Sequence, residues 1–274
     1  MIKDRKIGKF FGIVLLVLVL LVAGSLIAFK IYTSHYYATD TVAFSQIADE
    51  YAGKVDVFSN DSGMAFFPGD KNFRGIIVFY PGGKVEYTAY SALMYELSAR
   101  GFICLLPKMP ENLAFLSIRA VDYLMPGDEE IRKKAGEMDW YMAGHSLGGV
   151  AASKYLADAF EDSGEKPELP GDVEGGLGRF KGLILCGSYP ASDLSSAPIR
   201  LLSIYGSNDR VLNRKSYEAS RSNWPADSTE EVIEGGNHAS FGTYGKQEGD
   251  GEATISNEQQ IKITAEIIDN WIGN

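Results

Sequence analysis

The feature that most constrains this chain is a series of short, almost wholly apolar runs separated by helical patterns. Residues 75–80 (GIIVFY), 101–106 (GFICLL), 140–143 (WYMA), 183–187 (LILCG) and 199–205 (IRLLSIY) are of strand length and lack polar alternation. A strand apolar on both faces needs cover on both faces, which is the situation of a parallel sheet between two helical layers. Helical spacing fills the intervals. Tyr90, Leu93, Met94 and Leu97 share one side of residues 85–100, and Ile261, Ala265, Ile268 and Trp271 one side of 258–271. Residues 113–124, 150–160 and 216–222 also read as helices, the first stopping before Pro126-Gly127. The expected fold class is α/β: a three-layer α/β/α sandwich with a mostly parallel sheet, preceded by one membrane-spanning helix.

The remaining segments complete this outline. Residues 55–59 and 64–67 read as short strands around the turn Asn60-Asp61-Ser62-Gly63, and 231–234 as a last strand. Residues 41–53 read as a short linker or helix. Residues 161–179, acidic and rich in Gly and Pro, read as a surface loop. No internal repeat and no second domain is visible. No long helical insertion follows the 182–186 strand, so any lid must be small.

Residues 10–29 hold no charge and read FFGIVLLVLVLLVAGSLIAF. At ~1.5 Å per residue such a helix spans the ~30 Å hydrocarbon core of a bilayer. Lys3, Arg5, Lys6 and Lys9 precede it, and the positive-inside rule then places the N-terminus in the cytoplasm and the body outside. The expected organisation is a basic cytoplasmic N-terminus (1–9), a transmembrane helix or signal anchor (10–29), a linker (30–54) and one domain (55–274). The alternative is a secretory signal, cleaved near Ala23-Gly24-Ser25 or Leu26-Ile27-Ala28. Either reading exports the body.

Charge and cysteine usage remove several function classes. The chain carries −10 overall; residues 1–37 hold five basic residues and one acidic, a charge of +4, which leaves −14 on the rest. So acidic a body disfavours nucleic acid as a partner. The two cysteines, Cys104 and Cys186, both lie in apolar runs. That excludes a disulfide framework and a cysteine zinc site. No H-E-x-x-H is present, and Glu248-x-Asp250-x-Glu252 is too short for a calcium loop. Gly82-Gly83-Lys84 lacks the earlier glycine and the following Ser/Thr of a phosphate loop. No metal and no cofactor is expected.

The chemistry is concentrated in Gly144-His145-Ser146-Leu147-Gly148, a G-x-S-x-G between a strand and a helix. A turn this sharp strains the serine backbone and presents its oxygen above the sheet, and the flanking glycines let strand and helix pass closely. The helix N-terminus adds partial positive charge. Ser146 is the candidate nucleophile. A serine needs a base, and three histidines are available. His35 adjoins the apolar segment. His145 sits in the tight turn, where its side chain should point away and pack. His238, in Glu234-Gly235-Gly236-Asn237-His238 after the last strand, is the candidate base. Asp209, in Gly206-Ser207-Asn208-Asp209-Arg210, is the candidate acid, with Asp193 as competitor. The order Ser146, Asp209, His238 is that expected on such a sheet. Two backbone amides should form an oxyanion hole: Leu147, and Gly83 in preference to Gly82. Tyr189, Met109, Phe115, Phe241 and Tyr244 lie on loops at the same edge and offer apolar walls.

These residues resemble the α/β-hydrolase superfamily across residues 55–272, and most closely the compact, exported or membrane-anchored "α/β hydrolase fold-5" type. The likeness rests on Tyr80-Pro81-Gly82-Gly83, on the Met-Pro-x-Asn-Leu-Ala of residues 109–114, and on residues 235–242 continuing into Tyr244-Gly245 and Gly249-Asp250-Gly251. Pro81 stands where many members carry a histidine before the glycine. The resemblance implies serine hydrolase chemistry on a small-molecule acyl substrate, without fixing which one. A carboxylic ester is the first expectation. A membrane-tethered peptidase or amidase, a lactone or thioester hydrolase, and a non-catalytic binding scaffold are the alternatives. The oligomeric state is not legible.

Overall fold

A computed structural model describes residues 2–124, 129–161, 168–169, 173–176 and 179–274. Two compact units emerge, residues 1–36 and 37–274.

The first unit is one helix, α1 (Ile2–Ser34). Within it Phe11–Ser34 is a candidate span of 24 residues, whose most apolar 18-residue stretch has a mean hydropathy of 3.0. It runs five residues past the apolar stretch that ends at Phe29. Its length, ~1.5 Å per residue, is enough to cross a bilayer.

The second unit opens at Tyr37, whose backbone bridges Val85 and whose N–H donates to the Lys84 carbonyl at 2.8 Å. Then comes α2 (Thr41–Glu50), capped by the Asp40 carboxylate accepting from the Val42 and Ala43 amides. The expected linker 30–54 thus includes a helix packed on the body. Next come β1 (Val55–Asn60), β2 (Gly63–Pro68), β3 (Gly75–Tyr80), α3 (Ser91–Ser98), β4 (Phe102–Pro107), α4 (Glu129–Glu137), β5 (Trp140–His145) and α5 (Leu147–Glu161). After β6 (Glu168–Leu169) and β7 (Val173–Gly176) follow β8 (Phe180–Cys186), β9 (Arg200–Gly206), α6 (Arg214–Ala219), β10 (Ser228–Ile233) and α7 (Asn257–Gly273).

The main sheet runs in the order β1-β2-β4-β3-β5-β8-β9-β10. β1 and β2 pair antiparallel, as do β2 and β4; every other pairing is parallel. The alternation of side chains along each strand divides the core in two. Ile76, Val78, Tyr80, Trp140, Met142, Leu183 and Leu185 face one layer, with Ala151, Ala152 and Leu156 of α5. Ile77, Phe79, Cys104, Ala143, Ile184 and Ile204 face the other, with Leu93, Met94 and Leu97 of α3 and Ile261, Ala265 and Ile268 of α7. The apolar runs are therefore strands of a sheet covered on both sides, as the sequence implies. Each fully buried Leu or Ile contributes roughly 1.5–3 kcal/mol from transfer alone. Cys104 and Cys186 are buried free thiols, and burial pushes both thiol pKa values up.

Three segments differ from expectation. The helix expected over 113–124 is a string of 3-10 turns, Pro110–Asn112, Ala114–Leu116 and Ala120–Tyr123. The chain turns left-handed at Glu111 (φ 53°) and Asn112 (φ 54°), and the Asn112 carbonyl accepts from Lys84 N–H at 2.8 Å. This segment is tied to the turn after β3 instead of continuing as a helix. The stop expected at 126–127 lies outside the described residues. α4 has no counterpart in the sequence reading because EEIRKKAGE shows no apolar stripe; buried Ala135 fixes it, accepting from the Trp140 indole at 2.9 Å. The loop expected over 161–179 lies partly outside the described residues, and within the rest β6 and β7 pair antiparallel.

Parallel strands β3, β5, β8, β9 and β10 all end at one edge. The chain steps from β3 to β4 on one side and then to β5 on the other. The carboxyl ends on either side of such a reversal form the crevice where open α/β sheets bind ligands.

Candidate active site

β5 delivers Ser146 to that crevice. Ser146 adopts φ 51°, a left-handed conformation unusual outside glycine. Its N–H donates to the Cys186 carbonyl at 3.0 Å, and its carbonyl accepts from the Ser188 hydroxyl at 2.6 Å. Strain at a residue pinned on both sides belongs to functional turns. Two glycines make the turn possible. A Cβ on Gly144 would meet Gly148 C and Gly149 N at 2.6 Å, and one on Gly148 would meet the Tyr80 and Pro81 carbonyl oxygens at 2.2 and 2.3 Å. The elbow thus lies directly on the turn that follows β3.

On that turn the Gly82 N–H is taken: it donates to Tyr90 Oη at 3.1 Å. Gly83 sits against Leu147, whose Cδ2 lies 2.8 Å from where a Gly83 Cβ would stand. The amides of Gly83 and Leu147 make no hydrogen bond among the described residues. They are two neighbouring donors without an internal acceptor.

β9 and β10 bring the other two groups. His238 Nδ1 lies 2.8 Å from Asp209 Oδ2, and both side chains are buried. Asp209 Oδ1 accepts from the amides of Val211 (2.9 Å) and Leu212 (2.8 Å). With one oxygen fixed by main chain, the other can only accept from the imidazole. The proton of this bond therefore sits on His238 Nδ1. Nε2 is buried and has no hydrogen-bond partner in this conformation, so no Ser146–His238 bond is formed here. The competitor Asp193 is exposed and occupied locally: it accepts from Ser195 N–H at 2.9 Å, a bond that lowers its pKa.

His145 packs, as its place in the turn implies, but it packs inside the site. Its ring lies 4.4 Å from that of His238 and 5.5 Å from that of Phe241. Its Nδ1 is 2.8 Å from Tyr90 Oη. Burial keeps the Tyr90 phenol protonated, and its oxygen accepts from Gly82 N–H while it shares a hydrogen bond with His145 Nδ1. Burial first, and the neighbouring His238 imidazole second, hold the His145 pKa well below the usual imidazole value; the His238 carbonyl opposes them. His145 is thus neutral.

Of the apolar walls expected at this edge, Met109, Phe241 and Tyr244 are buried in the two cores. Tyr189 packs partly on one core, and Phe115 stays exposed beside Leu116. The sequence does not single out Tyr90, Ser188 or Asp250 as site residues: it places Tyr90 only on a helix face, and Asp250 in the histidine-loop resemblance and in an acidic run too short for a calcium loop. Among the described residues no three His, Cys, Asp or Glu side chains are grouped to hold a metal ion. A cavity of about 550 Å³ opens elsewhere, lined by Lys181, Ser195, Arg200 and Asp227 among others, and contains none of these groups.

A mostly parallel sheet between helices, with a strained serine on a strand-to-helix turn and an Asp–His pair at the same edge, defines an α/β fold whose site lies at the strand carboxyl ends. The family model described as the alpha/beta hydrolase family matches residues 76–262. The chain belongs to that family. No curated protein matches it.

Proposed function

We propose that the protein is a serine hydrolase that cleaves an acyl bond, first of all a carboxylic ester. Ser146 attacks the carbonyl carbon. His238 Nε2 takes its proton and returns one to the leaving alcohol, while Asp209 holds the tautomer and stabilises the imidazolium. The amides of Gly83 and Leu147 receive the tetrahedral oxyanion, each such donor being typically worth ~10²–10³ in turnover. Water activated by the same imidazole then releases the acyl group. The observation that carries this reading is Ser146 at φ 51° on the same sheet edge as the Asp209–His238 pair.

Residues 187–199, between β8 and β9, hold no helix. This favours small, soluble or surface-presented acyl substrates over those needing a large mobile lid. We place the protein in a membrane through α1, with a cytoplasmic N-terminus and an extracytoplasmic body. The uncharged stretch of residues 10–29 after a basic start, within a candidate span of 24 residues, supports that topology.

The test is turnover of p-nitrophenyl esters of increasing acyl length by the full chain in detergent micelles, beside Ser146→Ala. Turnover that falls by orders of magnitude in the folded variant is the expected result. A variant as active as the parent overturns the assignment.

A further inference from the structure

One short segment touches both flanks of both residues of the Asp–His pair. Asp250 Oδ2 accepts from the Ala239 amide at 2.9 Å, directly after His238. Asp250 Oδ1 accepts from the Arg210 amide at 3.3 Å, directly after Asp209, and from Gly251 N–H at 2.8 Å. The Gly251 carbonyl accepts from the Asn237 side chain at 2.8 Å, directly before His238. The Glu252 carbonyl accepts from the Asn208 side chain at 3.0 Å, directly before Asp209. Contact is close: a Cβ on Gly251 would stand 1.9 Å from the Asn208 carbonyl oxygen.

We propose that Asp250 is a positioning residue that sets the register between the acid loop and the histidine loop. The argument rests on the serine hydrolase reading above. Asp209 and His238 stand on separate loops after neighbouring strands, and a hydrogen bond of 2.8 Å between them tolerates little relative movement. Beyond the sheet the two loops are joined directly by Asn208 N–H to the Gly236 carbonyl and by Gly235 N–H to Ser207 Oγ. Both of those ties lie on the strand side of the pair. Asp250 supplies the tie on the far side, so that the two residues are held between two fixed points. A carboxylate suits the task because its two oxygens accept from both loops at once, and charge strengthens each bond. No substrate contact is required of it.

The expected consequence of breaking this tie is a mis-set imidazole. Loosening the Asp209 partner removes stabilisation of the imidazolium, so kcat falls and the acid limb of the pH–rate profile moves to lower pH. Ground-state binding of ester is not touched.

The test uses the full chain in detergent micelles, with p-nitrophenyl acetate as substrate and Asp250→Ala, Asp250→Asn and Glu248→Gln compared. Glu248 lies on the same loop and serves as control. Asp250→Ala should lose tenfold or more in kcat with KM within about twofold, and its acid limb should shift down. Asp250→Asn, which keeps one acceptor and the side-chain volume, should recover part of the loss. The far-downfield proton resonance of His238 Nδ1–H should broaden or vanish in Asp250→Ala, a readout independent of turnover. An unchanged kcat, pH profile and resonance in folded Asp250→Ala overturns the proposal. If that variant does not fold, the same three unchanged readings in Asp250→Asn overturn it. An inactive parent that shows the resonance, with the resonance lost in Asp250→Ala, would count against the hydrolase reading and not against the positioning role.

Discussion

Asp209 divides its carboxylate between two duties: Oδ2 faces His238 Nδ1 at 2.8 Å, while Oδ1 accepts the amides of Val211 and Leu212. The second duty makes the first directional. The loop fixes the carboxylate plane, and the plane fixes the imidazole.

Asp209→Asn should therefore keep the fold and lose activity. An amide in this place can turn its NH₂ towards Nδ1 and favour the wrong tautomer, which in serine triads costs ~10⁴ in kcat. Asp209→Ala should also destabilise, by about 1–3 kcal/mol for each buried amide left unpaired. Thermal unfolding beside ester turnover separates the two effects. Equal activity in Asp209→Asn and the parent would count against the pair as catalytic machinery.

Gly148→Ala should damage the site more than the fold. Its new methyl group would press on the Tyr80 and Pro81 carbonyls, the base of the turn that carries Gly83. Overpacking of this kind typically costs ~1–3 kcal/mol, and the displaced donor should reduce kcat beyond what stability explains. Comparing Tm with kcat at a temperature where the variant is fully folded checks this.

Tyr90→Phe removes the oxygen that joins Gly82 N–H to His145 Nδ1. Two buried groups lose their partner at once. A loss of roughly 1–3 kcal/mol is expected for each. The turn that carries Gly82 and Gly83 should loosen, so kcat should fall while KM for a small ester stays close to the parent value. A variant with parental stability and kcat would show that the phenol is not part of this scaffold.

His145 predicts a pH dependence of stability. An unfolded imidazole titrates near about 6.5, and the folded one is held well below that. Between those two values the unfolded chain binds a proton that the folded chain does not. Stability is thus complete above pH ~6.5 and falls with decreasing pH, by up to ~1.4 kcal/mol per pH unit. His145→Gln should flatten the slope by that one proton in urea unfolding between about pH 7 and 5. Parallel slopes in parent and variant would contradict the assignment.

The sheet was legible because its strands are buried on both faces, and a run such as Gly75–Tyr80, of strand length and ended by Pro81-Gly82-Gly83, is too short for a buried helix. The elbow was legible for a steric reason: Gly144 and Gly148 stand where strand and helix pass too closely for a Cβ. What stayed hidden is non-local. Nothing near Tyr90 in sequence tells that its phenol meets Gly82 and His145, or near Asp250 that its carboxylate joins residues 210 and 239. Residues 113–124 misled for a related reason. Buried Ala114, Ala120, Val121 and Leu124 imitate helical spacing, while the turn at Glu111 and Asn112 is bonded to Lys84, far back in the chain.

The central claim is that Ser146 is an activated nucleophile, and a fluorophosphonate probe tests it most directly. The full chain is labelled in detergent micelles, digested, and the modified residue located by mass spectrometry, beside Ser146→Ala and His238→Ala. The account predicts a single adduct on Ser146, absent from the first variant and formed far more slowly in the second. An unlabelled, folded parent, or an adduct on any other residue, would contradict it.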